Sequence, residues 1–229
     1  MVDEMDFEDL EPNRGTKLRQ NSSKPLKIHI EKKNLTSLMV INEHEFLTDN
    51  ITSADLTISP GDHYMIINKS ERPINIEYGN DVSQHEVIYD PYKYEHTEKH
   101  KIDPNMFQKK HEVPDGFIDI LPKWYSIKFT YPEYNLIFIK PEMGISFQTH
   151  QERSETWEIL SGLPIVLNGI HMYYYVESGT RFTTPKGSYH SIINPNEKGE
   201  KYVVFKEQWE GNFDEQDITR VFNPNHYSD

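Results

Sequence analysis

Apolar positions along this chain recur with period two, in short runs punctuated by turn residues. From Leu26 onward the runs are LKIHIE, SLMVI, ADLTI, YMIIN, INIEY and EVIY, with SPGD at 59–62 and KSERP at 69–73 between them. Alternation over four to six residues predicts half-buried strands, and their close spacing predicts an antiparallel sandwich or barrel. A second series follows: GFIDIL, YSIKFTY, LIFIK, ISFQT, TWEIL, PIVLN, MYYYV, RFTTP, SIIN and YVVFKE. No stretch sustains helical periodicity beyond a turn or two, so the expected fold class is all-β. Residues 1–24 are acidic, then polar, without periodicity, and are expected to be a flexible arm. Residues 25–95 form the first β unit, 96–115 a linker rich in Lys, His, Glu and Pro, and 116–229 the second unit.

The two series are related to each other. SPGDHYMIINKSERPINIEY at 59–78 parallels TPKGSYHSIINPNEKGEKYVVF at 184–205, which sets Asn68 on Asn194 and Tyr64 on His190. VIYDPYKY at 87–94 parallels RVFNPNHY at 220–227, which sets Val87 on Arg220, Pro91 on Pro224 and Tyr94 on Tyr227. A repeat of this length implies two related β domains.

Composition narrows the chemistry. The chain has 229 residues, a formal net charge of -13 and no cysteine. That charge argues against a nucleic-acid backbone or an anionic membrane surface as partner, while a local cationic pocket would still admit a small anion. Disulfides, thiolate metal sites and a cysteine nucleophile are excluded. The acidic N-terminus MVDEMDFEDLEPNRG and the lack of a long apolar run predict a soluble, cytoplasmic protein.

Candidate chemistry concentrates in FQTHQERSETW at 147–157 and PKGSYHSIIN at 185–194. In an extended segment Gln148 and His150 share a face, and Glu155 returns to it after a short polar turn. With His190 they could jointly hold one divalent metal, because imidazole suits zinc or iron and the carboxylate and carboxamide add harder oxygen ligands. A lone histidine in a Tyr-rich β protein is more often hydrogen-bonded or surface-exposed, and it is the pairing of the segments that carries the expectation. The first repeat, in its segment SSKPLKIHI, offers no matching set. Trp157 is expected in the core beside Glu155. Tyr173, Tyr174 and Tyr175 are expected in strand packing or an oligomer contact.

Residues 116–227 resemble the cupin domain of type II mannose-6-phosphate isomerases. The family pattern Ser-Leu-Gln-x-His, two residues, Arg, one residue, Glu, one residue, Trp runs here as ISFQTHQERSETW. A strand ending in Ser-Gly follows as EILSG, then Pro-x-Gly-x-x-His-x-x-x-Asn-Pro as PKGSYHSIINP, and finally DEQDITRVFNPNHY. The chain departs from the family at Asn135 and Leu136, where a Lys-Arg pair is usual, and at FKEQWEGNF. It carries no guanylyltransferase part.

The resemblance implies a bicupin whose first copy is degenerate, with Gln148, His150, Glu155 and His190 as ligands of a divalent metal. Zinc is expected, with iron, manganese and cobalt as alternatives. It implies aldose-ketose isomerisation of a sugar phosphate such as mannose 6-phosphate, with Arg220 meeting the substrate and Arg153 matching the arginine of the first motif. Glu152 and Glu207 are both candidates for the general base. Arg220 also has acidic neighbours, Asp214, Glu215 and Asp217, with which it could simply pair. Arg181 and Lys186 could line the mouth of the barrel or be ordinary turn charges. A homodimer is expected. Two other readings stay open: an iron-dependent oxygenase or other metallo-cupin, and a non-catalytic sugar-binding cupin.

Overall fold

The computed structural model describes residues 6–22, 24–48, 51, 55–212, 214 and 216–225. In chain order its strands are β1 (Asp6–Leu10), β2 (Leu18–Gln20), β3 (Leu26–Ile30), β4 (Leu38–Asn42), β5 (Glu45–Leu47), β6 (Asp55–Ile58), β7 (His63–Asn68), β8 (Ile74–Tyr78) and β9 (Glu86–Tyr89). After the short helix α1 (Pro104–Gln108) come β10 (Asp119–Pro122), β11 (Ser126–Thr130), β12 (Asn135–Ile139), β13 (Met143–Gly144), β14 (Phe147–Thr149) and β15 (Arg153–Ser161). The chain closes with β16 (Ile165–Asn168), β17 (His171–Tyr173), β18 (Arg181–Thr184), β19 (His190–Asn194), β20 (Val203–Gly211) and β21 (Thr219–Phe222). The all-β expectation holds. Among the described residues no helix is long and apolar enough to cross a membrane.

The chain divides into two compact units, residues 1–91 with 170–172, and residues 92–169 with 173–229. In the first unit one sheet runs β1-β8-β3-β6 and another β5-β4-β7-β2-β9. The LKIHI run shows why: Leu26, Ile28 and Ile30 point into the core while Lys27 and His29 stay exposed. In the second unit one sheet runs β10-β11-β12-β20-β15-β18 and the other includes β21-β14-β19-β16. Its core gathers Ile137, Ile139, Trp157, Ile159, Val166, Ile192, Val203 and Phe205.

Strand for strand, the units are paired alike. β12-β20-β15-β18 repeats the order of β1-β8-β3-β6, and β21-β14-β19-β16 repeats that of β9-β2-β7-β4. The matched asparagines do the same work. Asn68 is fully buried and its amide donates to Leu10 O and Arg72 O, while its Oδ1 accepts from the Ser70 N–H. Asn194, also fully buried, donates to Ile139 O and Lys201 O and accepts from the Asn196 N–H. Each thereby satisfies the backbone of a turn that no ladder reaches.

Two stretches differ from the expectation. Residues 6–10 and 18–20, read from sequence as an arm, are strands, and β1 pairs with β8 from Asp6↔Tyr78 to Leu10↔Ile74. An edge strand with three acids in five residues, two of them adjacent, shows little hydrophobic pattern, which is why DFEDL does not stand out. Residues 1–5 of that segment, like Tyr227 of the repeat, lie outside the described residues. The stretch expected as linker holds α1, whose N-cap Asp103 accepts from the Asn105 and Met106 N–H groups. Phe107 is buried there among Phe129, Phe138 and Tyr202, so this segment packs on the outer face of the second unit's sheet.

Candidate metal centre

Alternation along β15 places Arg153, Glu155, Trp157 and Ile159 on the inner face of the second unit and Ser154, Thr156 and Glu158 towards the outside. Gln148 on β14 lies opposite His190 on β19 and, across its other edge, opposite Arg220 on β21. His150 follows the end of β14. The loop before β19 is tied to it, since the Gly187 N–H donates to His150 O at 2.6 Å. Gly187 has φ of +75°, a conformation that strains any L side chain.

Four side chains converge as a result. Glu155 Oε1 lies 3.2 Å from His150 Nε2 and Glu155 Oε2 3.5 Å from His190 Nε2. Gln148 Nε2 lies 3.5 Å from His150 Nε2 and 3.3 Å from His190 Nε2. A tetrahedral ion with bonds of about 2.1 Å sets its ligand atoms about 3.4 Å apart, so this spacing suits one cation. His150, Glu155 and His190 are 2%, 2% and 1% exposed, too dry for three such groups to meet without a charge partner.

Both imidazoles are prepared as ligands. His150 Nδ1 bonds Asp217 O and His190 Nδ1 lies 3.2 Å from Ser188 O. A carbonyl only accepts, so Nδ1 carries the proton in each ring and both Nε2 lone pairs face the cluster. Burial lowers the pKa of His150, and burial together with the charge of His150 pushes His190 down to about 3, so both rings are neutral at pH 7. Burial pushes Glu155 up, against the opposing pull of Arg153 and Trp157. As placed, Gln148 donates its amide to the imidazoles while its Oε1 accepts from the Ser146 hydroxyl at 2.6 Å. Turning the amide over would present the oxygen to a cation, and the hydroxyl, which both donates and accepts, suits either setting.

Arg153 sits inside the cluster. Its Nε donates to Glu155 Oε1 at 2.8 Å, Nη2 is 3.0 Å from His150 Nε2, and Nη1 donates to Asp214 O at 2.8 Å. The guanidinium is 6% exposed and balances the buried carboxylate.

Beside the cluster, and reaching it through Gln148 and Arg153, opens a small pocket that Glu207 and Arg220 also line, with Lys123 and Lys128 on its wall. Glu207 lies opposite Asn135, whose amide donates to Glu207 Oε2 at 2.6 Å. Burial, then the charge of Glu155, raises the Glu207 pKa to about 7. Arg220 is exposed at the rim and makes no ion pair with Asp214 or Asp217; Glu215 lies outside the described residues. Glu152 is also exposed, its carboxylate accepts from Asn212 at 2.6 Å, and it does not line the pocket. Arg181 pairs with Glu158 at 2.9 Å on the outer side of the sheet, and Lys186 is exposed on its turn. Lys123 and Lys128 were not foreseen. The signal for Lys128 was present in SIKFT, where it shares the face of Ser126 opposite Ile127 and Phe129.

Trp157 is buried beside Glu155, its indole N–H donating to Glu155 Oε2 at 3.2 Å.

Residues 125–223 match the family described as mannose-6-phosphate isomerase C-terminal. Every residue of the cluster and of the pocket except Leu121 and Lys123 lies within that span. Solved structures with detectable likeness include the capsular polysaccharide assembling protein CapF from Staphylococcus aureus, 20% identical, covering 49% of this chain and 31% of its own, with a TM-score of 0.34. The oxalate decarboxylase of Lactobacillus farciminis in a formate complex is 12% identical, covering 94% of this chain and 78% of its own, with a TM-score of 0.37. This chain therefore spans about a third of the length of CapF. Comparison with curated proteins gives no match. The unit that matches this family model is a cupin, and the matching strand order of the first unit makes the chain a bicupin.

The first cupin has a different residue at each of the four candidate positions. Register puts Arg19 opposite Tyr64, as Gln148 is opposite His190, and Leu26 opposite Ile58, as Glu155 is opposite Thr184. Arg19, Asn21, Leu26 and Tyr64 thus stand for Gln148, His150, Glu155 and His190, so β2 and the residue after its end supply two of the positions expected in SSKPLKIHI. Tyr64 OH bonds His85 Nδ1 at 2.8 Å and Tyr78 OH donates to Glu8 at 2.9 Å.

Proposed function

We propose that this protein is a metal-dependent aldose-ketose isomerase of a phosphorylated sugar, with mannose 6-phosphate to fructose 6-phosphate as the reaction to test first. The observation that carries the reading is the meeting of Gln148, His150, Glu155 and His190 in one buried cluster, with Gln148 also lining a pocket whose wall is cationic. Zinc fits two neutral imidazoles and a carboxylate with a fourth, weaker position at Gln148. A bound cation supplies Lewis-acid chemistry to sugar oxygens placed beside it.

The chain's own groups account for the remaining needs. Moving a proton between C1 and C2 requires a group that takes and returns it near neutral pH, and Glu207 is the pocket carboxyl with that poise. Asn135 fixes one of its oxygens. Arg220 and Lys128 line the pocket and would meet a phosphate, the first as a planar fork and the second as a point charge. Metal analysis of the purified protein, coupled to isomerase assays over hexose and pentose phosphates, tests the reading. One zinc per chain with interconversion of mannose and fructose 6-phosphates is expected. Oxygen consumption with ferrous iron, or sugar binding without turnover, would replace it with one of the other metallo-cupin readings.

A further inference from the structure

The second unit carries another concavity, away from the ligand cluster. A cleft of about 820 Å3 opens between the 94–100 segment and the outer side of the sheet formed by β12 and β20. It shares no lining residue with the pocket beside the cluster. The volume lies within the range of sites that hold small organic ligands. Phe138 and Met143 form its floor, and Tyr94, Trp124 and Tyr202 its walls.

Charge in this cleft, as in the pocket beside the cluster, runs against that of an acidic chain. Lys99, Lys140, Lys198 and Lys201 line it, against the two carboxylates of Glu98 and Glu200, and Glu98 Oε2 lies 3.2 Å from His100 Nε2. Lys198 and Lys201 are exposed, unlike Lys140. Its half-buried ammonium donates to Trp124 O at 2.5 Å and, among the described residues, forms no ion pair with a carboxylate. A desolvated ammonium that meets only a carbonyl dipole lacks a counter-charge. Burial lowers its pKa accordingly. The wall is held in place, because Glu142 accepts from Lys93 Nζ at 2.7 Å and from the Tyr94 hydroxyl. Lys99 Nζ is fixed by Glu95 O at 2.7 Å and lies 5.9 Å from the Trp124 ring centre.

We infer that this cleft is a second ligand site, for a small organic anion with a flat ring: the ring stacks among Trp124, Tyr94 and Tyr202, and the anionic group neutralises Lys140. Aromatic walls favour a planar body and ammonium groups favour phosphate or carboxylate oxygens. Nucleoside phosphates and simple aryl phosphates share this chemistry. The inference does not rest on the isomerase reading.

Titration of the full chain, followed by tryptophan fluorescence and calorimetry, tests it with four probes. Adenosine diphosphate carries ring and charge, phenyl phosphate a smaller ring and charge, adenosine the ring alone, and pyrophosphate the charge alone. Adenosine diphosphate or phenyl phosphate is expected to bind at least about tenfold more tightly than adenosine and pyrophosphate, the worth of one charge-assisted contact. Which of the two binds better distinguishes the sources. Lys140→Met should weaken binding about tenfold and the exposed-loop variant Lys198→Met by a smaller factor, with His190→Ala binding as wild type. Lys198→Met keeps the test decisive if Lys140→Met fails to fold. Four outcomes overturn the inference: no saturable binding of any probe, adenosine or pyrophosphate binding as tightly as the probes that carry both ring and charge, binding unaltered by the lysine variants, or binding lost in His190→Ala. A Lys140→Met chain that changes oligomeric state rather than probe affinity would make the cleft a subunit contact, and that too would overturn it.

Discussion

Ser146 sets the orientation of Gln148 through a buried 2.6 Å hydrogen bond, and nothing else among the bonds described holds that amide oxygen. Ser146→Ala should therefore weaken metal affinity about 10- to 100-fold, the usual loss when a supporting partner of a ligand is removed, with an unchanged circular dichroism spectrum. Competition with a chromophoric chelator gives the number. His190→Ala should drop the bound ion to well under one equivalent by elemental analysis while the chain still melts cooperatively. Glu142 offers a pH test away from the cluster. Burial pushes its carboxyl up, but the Lys93 ammonium and Tyr94 hydroxyl outweigh that and hold it below the usual range. A depressed folded-state pKa contributes stability above the ordinary carboxylate value, lost as pH falls through the depressed one. Urea midpoints taken from about pH 6 down to about pH 3 should thus fall more steeply for the native chain than for Glu142→Gln. The ligand types were legible because Gln148, His150, Glu155 and His190 fall at fixed spacings in two motifs. The longer-range partners were not: Asp217 meets His150 and Asn135 meets the pocket's Glu207 across 67 and 72 residues, separations that follow from no local pattern.

At the scale of elements, α1 decides how the 92–115 segment behaves. Phe107 is 4% exposed and stacks on His111 at 4.2 Å, with Phe138 at 5.0 Å. Phe107→Ala should cost about 3–5 kcal/mol of unfolding free energy, read from urea denaturation, where a solvated spacer would lose almost nothing. It should also speed proteolysis between residues 95 and 115. Strands such as LKIHI were plain in the sequence because burial alternates with side-chain direction. The five residues of α1 were not, since they carry barely one turn of periodicity and sit among Lys, His and Glu. Asp103-Pro104 was the one local sign, an N-cap followed by a proline at the first helical position. β1 was hidden for the opposite reason: it has strand geometry with acids at three of its five positions, and only its pairing with β8 reveals it.

The whole molecule holds two cupins and one ligand cluster among its described residues. Elemental analysis should accordingly find one tightly held ion per chain, and a second equivalent would contradict the reading of the first cupin as metal-free. Tyr64→Phe should leave that stoichiometry untouched while costing about 1–3 kcal/mol, because His85 Nδ1 loses its buried partner. The repeat was visible from Asn68 and Asn194, yet placing Arg19 and Leu26 at two of the candidate positions needed the strand register. Arg153, already seated against Glu155 and His150, gives the second cupin a built-in placeholder for positive charge. Stripping with a chelator should then spare the cooperative melt, unlike small domains that unravel without their zinc. Entry of an ion becomes a handover, in which the guanidinium must let go of the carboxylate before the newcomer can grip it, and slow exchange is the natural result.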